Sequence, residues 1–252
     1  MNKQDILKSC ETKEEKMFVS HIYDVFTSCE QKNYCIFSDF LDENEQTCVT
    51  HAFSSIKNNI MFSSKTINSQ RKLVCLKFDY FDIPTVIFKI INLGIEEFSH
   101  KDILGALMNL GIKRQKTGDI TEINREFFIE VKEEISDFLL QNLEKIRYSP
   151  VKLIKCEKEI ERIQKFEELF FTVSSLRLDC VISAVCGFSR EKAKQYITFG
   201  NVKVNHTEET DIKKQITLND VISIKKYGRF IYSGNDGLSR KDKHKIIIKK
   251  YI

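Results

Sequence analysis

The 252-residue sequence contains no tryptophan, two prolines (Pro84 and Pro150) and nine glycines. That scarcity excludes a proline-rich or glycine/serine spacer as the mark of a domain boundary, so boundaries have to come from pattern. No stretch approaches the roughly 18 consecutive apolar residues of a membrane span, and Met1-Asn2-Lys3-Gln4-Asp5 leads into charged residues. The expectation is a cytoplasmic protein with no membrane partner. Eight cysteines, at 10, 29, 35, 48, 75, 156, 180 and 186, form no Cys-x-x-Cys pair, and no histidine pair stands at zinc spacing. They read as reduced, small buried hydrophobes, with no metal site expected. No Gly-Lys-Ser/Thr phosphate loop and no glycine-rich cofactor loop is found either, so no cofactor is expected.

What is present is ample apolar material: 42% hydrophobic and 30% charged residues, enough for a core across one to three small domains. The net charge of +4 conceals an asymmetry. Residues 176–252 carry 16 Lys and Arg against 8 Asp and Glu, a net of +8, whereas residues 1–175 carry 24 against 28, a net of −4. The basic C-terminal third is therefore the candidate polyanion binder.

Periodicity divides the chain further. Over 1–72, Phe18, Ile22, Val25 and Phe26 follow a helical repeat, and Phe40 to Gln46 reads as a turn into a second helix. The polar run from Ser63 to Gln70 reads as an exposed loop. Over 73–172 short apolar runs alternate with helices. Leu73 to Phe78 and Thr85 to Ile90 are expected strands, and Ser99 or His100 caps a helix carrying Ile103, Leu104, Leu107 and Met108. A hairpin through Asp119 to Val131, a helix over Glu133 to Ile146 and a strand over Val151 to Cys156 complete an α+β unit. Its helix–hairpin loop holds Lys113, Arg114 and Lys116 between two glycines, a composition suited to phosphates or simply to a solvated turn.

Over 173–252, Leu178, Val181, Ile182 and Val185 give a short amphipathic helix turning at Gly187. Ser189 can cap a second helix that buries Ala193, Tyr196 and Ile197 and ends at Gly200. Val202 and Val204 flank Lys203 in a strand, and a strand over Val221 to Ile224 runs into Lys225, Lys226, Tyr227 and Arg229. Arg190 and Lys194 lie one helical turn apart on a face that Ala193 and Ile197 leave free, with Lys192 nearby. A phosphate at this helix start would meet free N–H groups and the positive dipole end together.

Ser174-Ser175-Leu176-Arg177-Leu178-Asp179, followed by Phe188-Ser189-Arg190-x-x-Ala193-x-Gln195-x-Ile197-x-x-Gly200-x-Val202-x-Val204-Asn205, resembles the S4 RNA-binding domain. By that resemblance Arg177, Ser189, Arg190, Lys192, Lys194, Gln195, Lys203 and Asn205 occupy or adjoin an RNA-facing surface, which Lys225, Lys226 and Arg229 extend. Phe40-Leu41-Asp42-x-x-Glu45-Gln46, the run from Leu104 to Ile120 and Tyr227-Gly228-Arg229 are similar to the YlmH family of S4 proteins. That likeness covers nearly the whole chain. It implies an N-terminal helical segment, a central domain like an RNA-recognition motif (RRM) and a terminal S4 domain. It also implies association with the large ribosomal subunit and a link to stalled nascent chains. Family members tend to carry a glycine-rich stretch and an Ala-Glu-Arg-Lys-like run, where this chain has Phe62-Ser63-Ser64-Lys65 and Ser69-Gln70-Arg71-Lys72.

The leading expectation is a monomeric, non-catalytic factor that binds structured RNA, ribosomal or transfer, by electrostatic capture and shape. An RNA-modifying enzyme is the rival. A pseudouridine synthase would need an Arg-Leu-Asp-x-x-Thr-x-Gly context, and Arg177-Leu178-Asp179 continues Cys180-Val181-Ile182. A third reading is a cell-division adaptor acting through its acidic N-terminal portion.

Overall fold

The computed structural model describes residues 2–10, 12–239 and 242–252. Its contacts divide the chain into two units, residues 1–163 and Gln164–Ile252.

The first unit begins with α1 (Lys3–Leu7), α2 (Lys13–Lys32) and α3 (Glu43–Ala52). Thr12 and Glu15 exchange hydrogen bonds in a capping box that starts α2, and Asn33, at φ 56°, ends it. Between them Val19, Ile22, Phe26 and Cys29 recur at intervals of three and four and are all buried. Asp42 and Glu45 form the same box for α3, which is the expected turn after Phe40. The inward faces close on β1 (Ile60–Ser63) and β3 (Leu73–Leu76), an antiparallel pair, with Phe26 edge-on to Phe53 at 4.9 Å. Leu73–Leu76 is thus a strand as expected, but it belongs to this helical layer and not to the central sheet.

The polar run expected to be an exposed loop is instead fastened down. It contains β2 (Thr66–Ile67), whose Thr66 is buried.

The central sheet follows: β4 (Thr85–Asn92), α4 (His100–Asn109), β5 (Thr117–Ile123), β6 (Glu126–Lys132), α5 (Ser136–Asn142), β7 (Lys145–Ile146) and β8 (Ser149–Cys156). Its order is β5-β6-β4-β8-β7, the split β-α-β arrangement of RRM-like domains. A tight turn with Asn124 and Arg125 both at positive φ closes the β5–β6 hairpin. One sheet face, with Val86, Phe88, Ile90, Ile129 and Val131, packs on Ile103 and Leu107 of α4 and Leu139 of α5. The helix expected over Glu133 to Ile146 is shorter. A 3-10 turn occupies Glu133–Ile135, Leu143 leaves helical geometry at ψ 79°, and Ile146 reaches the core from β7. Phe138 accordingly stands largely exposed. A short β9 (Ile160–Glu161) pairs in parallel with β2.

The other sheet face carries polar residues, and the chain's own N-terminal layer covers much of it. Glu130 is fully buried and accepts from Ser64 Oγ, Lys65 N at 2.8 Å, Thr66 N at 3.1 Å and Thr85 Oγ1 at 2.8 Å. Successive backbone N–H groups of this kind make a cradle for a carboxylate. Lys132 Nζ donates to the Ser38 carbonyl, and Arg71 donates to those of Phe40 and Thr117. Glu130→Gln replaces an acceptor with an amide that points hydrogens at donors. The expected cost is about 2 kcal/mol, read as a lowered denaturation midpoint with an unchanged m-value.

The second unit comprises β10 (Phe166–Val173), α6 (Leu178–Cys186), α7 (Arg190–Thr198), β11 (Val202–Val204), β12 (Thr207–Glu208), β13 (Val221–Ile224), β14 (Gly228–Leu238) and β15 (His244–Tyr251). They form one sheet in the order β10-β15-β14-β13-β11-β12. Alternate residues Val173, Ile222, Ile224, Phe230, Tyr232, Ile246 and Ile248 meet Leu178, Val181, Ile182, Ala193 and Ile197 of the helix pair in one core. The basic C-terminal stretch is therefore largely a strand inside the sheet. Arg240 and Lys241 of the C-terminal third lie outside the described residues.

Candidate nucleic-acid interface

The α6–α7 pair is built as its residues dictate. Arg177 caps α6 in extended geometry, and Gly187, at φ 65°, turns the chain where a side chain would be strained. Ser189 then caps α7, its Oγ accepting from Lys192 N at 3.2 Å. That oxygen accepts within the helix, and its O–H keeps its donor.

At the centre lies a residue that sequence reasoning passed over as a site. Asp179 is fully buried, and its carboxylate accepts from Arg177 Nε and Nη2 at 3.2 and 3.1 Å and from Arg190 Nη2 at 2.7 Å. Burial pushes its carboxyl up, but the hydrogen bonds from Arg190 and Arg177 outweigh that and hold it below the usual carboxylate range. The same bond raises Arg190. Two guanidiniums around one carboxylate leave a net charge of +1, and both keep part of their surface in solvent. Arg177 and Arg190 are therefore a fixed pair of cations and not free arms. The signal was the Arg177-Leu178-Asp179 triplet, which places both charged side chains at the start of one helix.

The remaining predicted residues fall into two groups. Lys192 lies over the Phe188 ring at 4.3 Å and is exposed, Gln195 is exposed on the same helix, and Lys194 pairs with Glu191 at 3.2 Å. Asn205, at φ 49°, is engaged at both ends: its amide donates to Asp220 at 2.7 Å and its carbonyl oxygen accepts from Val221 N. Its role here is to hold the turn between strands.

Lys203, Lys225, Lys226 and Arg229 come together beyond the helices. They line, with Gly200, Asn201 and Gly228, a cavity of about 480 Å³ between β11 and the β13–β14 turn. Lys226 sits at φ 69° in that turn, and Tyr196 Oη donates to the Lys225 carbonyl at 2.6 Å, fastening the turn to α7. Tyr227 stands edge-on to Phe188 and Tyr196, so its ring is partly held within an aromatic cluster.

The helix–hairpin loop of the first unit behaves differently. Arg114 donates to the Thr117 and Gly118 carbonyls and to Thr117 Oγ1, and burial, with Arg71 close by, lowers it to about 10. Lys116 pairs with Asp39 and Glu134, each at 2.7 Å. Lys113 alone of the three is exposed. Of this loop, whose composition suits either phosphates or a solvated turn, two cations hold the fold, because the carbonyls of β5 and the carboxylates beside it take their donors.

Asp119 accepts from Gln70 N at 2.6 Å while Asp82 faces Lys65, so these two central-domain aspartates serve different partners. Burial raises the Cys48 and Cys186 thiols to about 11, which keeps them protonated and poorly nucleophilic. Among the described residues no helix is long and apolar enough to cross a membrane.

An RRM-like sheet, and a helix pair set against a second sheet with a basic turn, define a protein of the nucleic-acid-binding class. Residues 86–160 match the family profile described as "Putative RNA-binding domain in YlmH". The chain is 26% identical over 246 residues to the Ribosome-associated protein quality control protein P2 of Bacillus subtilis, covering 94% of this chain and 96% of that one. The Cell division protein ylmH from Streptococcus pneumoniae aligns in structure over 59% of this chain and 94% of its own, at 21% identity and a TM-score of 0.46. These matches support a relationship to the YlmH family, whose profile covers the central domain of this chain.

Proposed function

We propose that the protein is a non-catalytic RNA-binding factor of the ribosome that acts in the cytoplasm as a monomer. It captures structured RNA, ribosomal or transfer, on the large subunit through its C-terminal unit. The name of the Bacillus subtilis relative supports a task in quality control, and we assign this chain to the handling of stalled nascent chains.

The observation that carries the reading is the gathering of cations in the C-terminal unit. The helix pair carries the Asp179-fixed guanidiniums of Arg177 and Arg190 and the exposed Lys192, and Lys203, Lys225, Lys226 and Arg229 line a cavity at β11 and the β13–β14 turn. Fixed cations with exposed donors suit phosphates held at set spacing in a folded RNA, and their attraction weakens steeply with salt. Co-sedimentation with purified large subunits tests it. Binding is expected at low salt and lost as salt rises. Sedimentation that survives high salt and RNase would point to the adaptor reading and overturn this one.

A further inference from the structure

The six-stranded sheet has a second face. Its inner residues share one core with α6 and α7, whereas the alternate residues point outward. Lys203 of β11 stands across from Ser223 of β13, and Ser223 across from Arg229 of β14. Arg229 lies over the Tyr251 ring of β15 at 5.9 Å, and Tyr251 meets Phe166 of β10 edge-on at 5.0 Å. A parallel row runs Val221, Ile231, Lys249, Glu168, and next to it Ile247 faces Phe170 and Lys245 faces Thr172. Phe170 is 66% exposed and Phe166 38%.

Large aromatic rings on an open sheet are unusual unless something lies on them. Here they are interleaved with cations: Lys203, Arg229, Lys245 and Lys249, with Lys225 and Lys226 at one end, against Glu168 and Glu208. A protein-binding patch would be depleted of lysine at its centre, whereas rings among cations suit unpaired bases and their phosphates. A duplex hides its bases from rings of this kind. The track from β11 to β10 crosses four strand spacings, about 19 Å, room for a few nucleotides.

We propose that this outward face extends the RNA surface from a shared edge at Lys203 and Arg229 and takes a short single-stranded segment, its bases stacked on Phe170 and on the Phe166–Tyr251 pair. Its phosphates lie along Lys203, Arg229, Lys245 and Lys249. The proposal rests on the RNA-binding reading above and adds to it a surface with a different ligand, unpaired and not folded RNA.

The test uses the full chain, a fluorescent ten-nucleotide oligouridine and, separately, purified large subunits. The double variant Phe166→Ala/Phe170→Ala is expected to bind oligouridine about tenfold more weakly or worse. Ultraviolet crosslinks to the wild type should map to β10 and β15. Lys245→Glu, at an exposed strand position, provides a second variant, expected to lose about threefold or more. Unchanged affinity in variants that melt like the wild type overturns the proposal, as do crosslinks confined to α6 and α7. Capture of a protein on this face with oligouridine binding untouched overturns it too. Failure of wild type to bind oligouridine while it still binds subunits sinks this proposal alone. Failure to bind subunits sinks the earlier reading whatever oligouridine does.

Discussion

Charge reversal of Lys192, Lys203 and Lys225 together is expected to weaken binding to large subunits by about a hundredfold or more at low salt. The slope of log affinity against log salt should flatten by about three, one for each phosphate contact removed. These three are chosen because the structure leaves them exposed and outside the core. Lys192 Nζ lies over the Phe188 ring, Lys203 projects from a strand, and the Lys225 side chain is separate from the carbonyl that Tyr196 uses. Arg190 would be a poor choice, since a glutamate there would face buried Asp179 and the variant would report on folding. Equilibrium binding by anisotropy or sedimentation across a salt series reads both quantities. An unchanged slope in a folded variant would place the phosphate contacts elsewhere.

Asp179→Ala is expected to destabilise the C-terminal unit by about 3 kcal/mol, equivalent to roughly 10 °C or more in the melting temperature of a domain of this size. Removing the carboxylate strands two guanidiniums, although their partial exposure, 31% and 45% of each side chain, lets water recover some of the loss. The effect on RNA should be separable. Without Asp179 the arginines lose their fixed spacing, so affinity falls even below the melting transition, but the salt slope stays close to wild type because the cations remain.

Acid supplies a second readout. The Asp179 carboxyl is held below its ordinary value of 3.8 in the folded state, so its contribution to stability is present in full above that value. It is lost as pH falls through the lower folded value. Wild type should therefore lose stability below about pH 4 with a steeper slope than Asp179→Asn, measured by denaturation at stepped pH.

Much of the architecture was legible in the sequence because it follows local rules. The cap at Ser189, the turn after Phe40, the repeat through Ile22 and Phe26, and the turn at Gly187 each specify their element from within a few positions, although the buried stripe of α2 runs through Val19 and Cys29 and leaves the expected Phe18 and Val25 half-buried. The α+β character of the central domain and the helix pair came out of the same patterns, and the RRM-like fold was implied by the family resemblance. The helix over residues 133–146 was overextended because Ile135, Phe138, Leu139, Leu143 and Ile146 fall on one helical stripe, while backbone geometry at Leu143 and pairing of Ile146 with Ser149 end it sooner. Leu73–Leu76 shows the complementary limit. Its apolar run announces a buried strand but cannot say which sheet receives it.

The basic C-terminal third was likewise determined by sequence alone: net charge and its concentration after residue 175 need no coordinates. Which of those cations face outward was decided only in three dimensions. Arg177 and Arg190 are gathered onto Asp179 across eleven residues, Asn205 is drawn into a turn by Asp220, and Arg114 and Lys116 are taken up by partners on neighbouring elements. The outward face of the C-terminal sheet belongs wholly to that second category. Phe166, Phe170, Lys203, Arg229 and Tyr251 span 86 positions of the sequence, and strand pairing alone, which has no local sequence signature, lays them side by side.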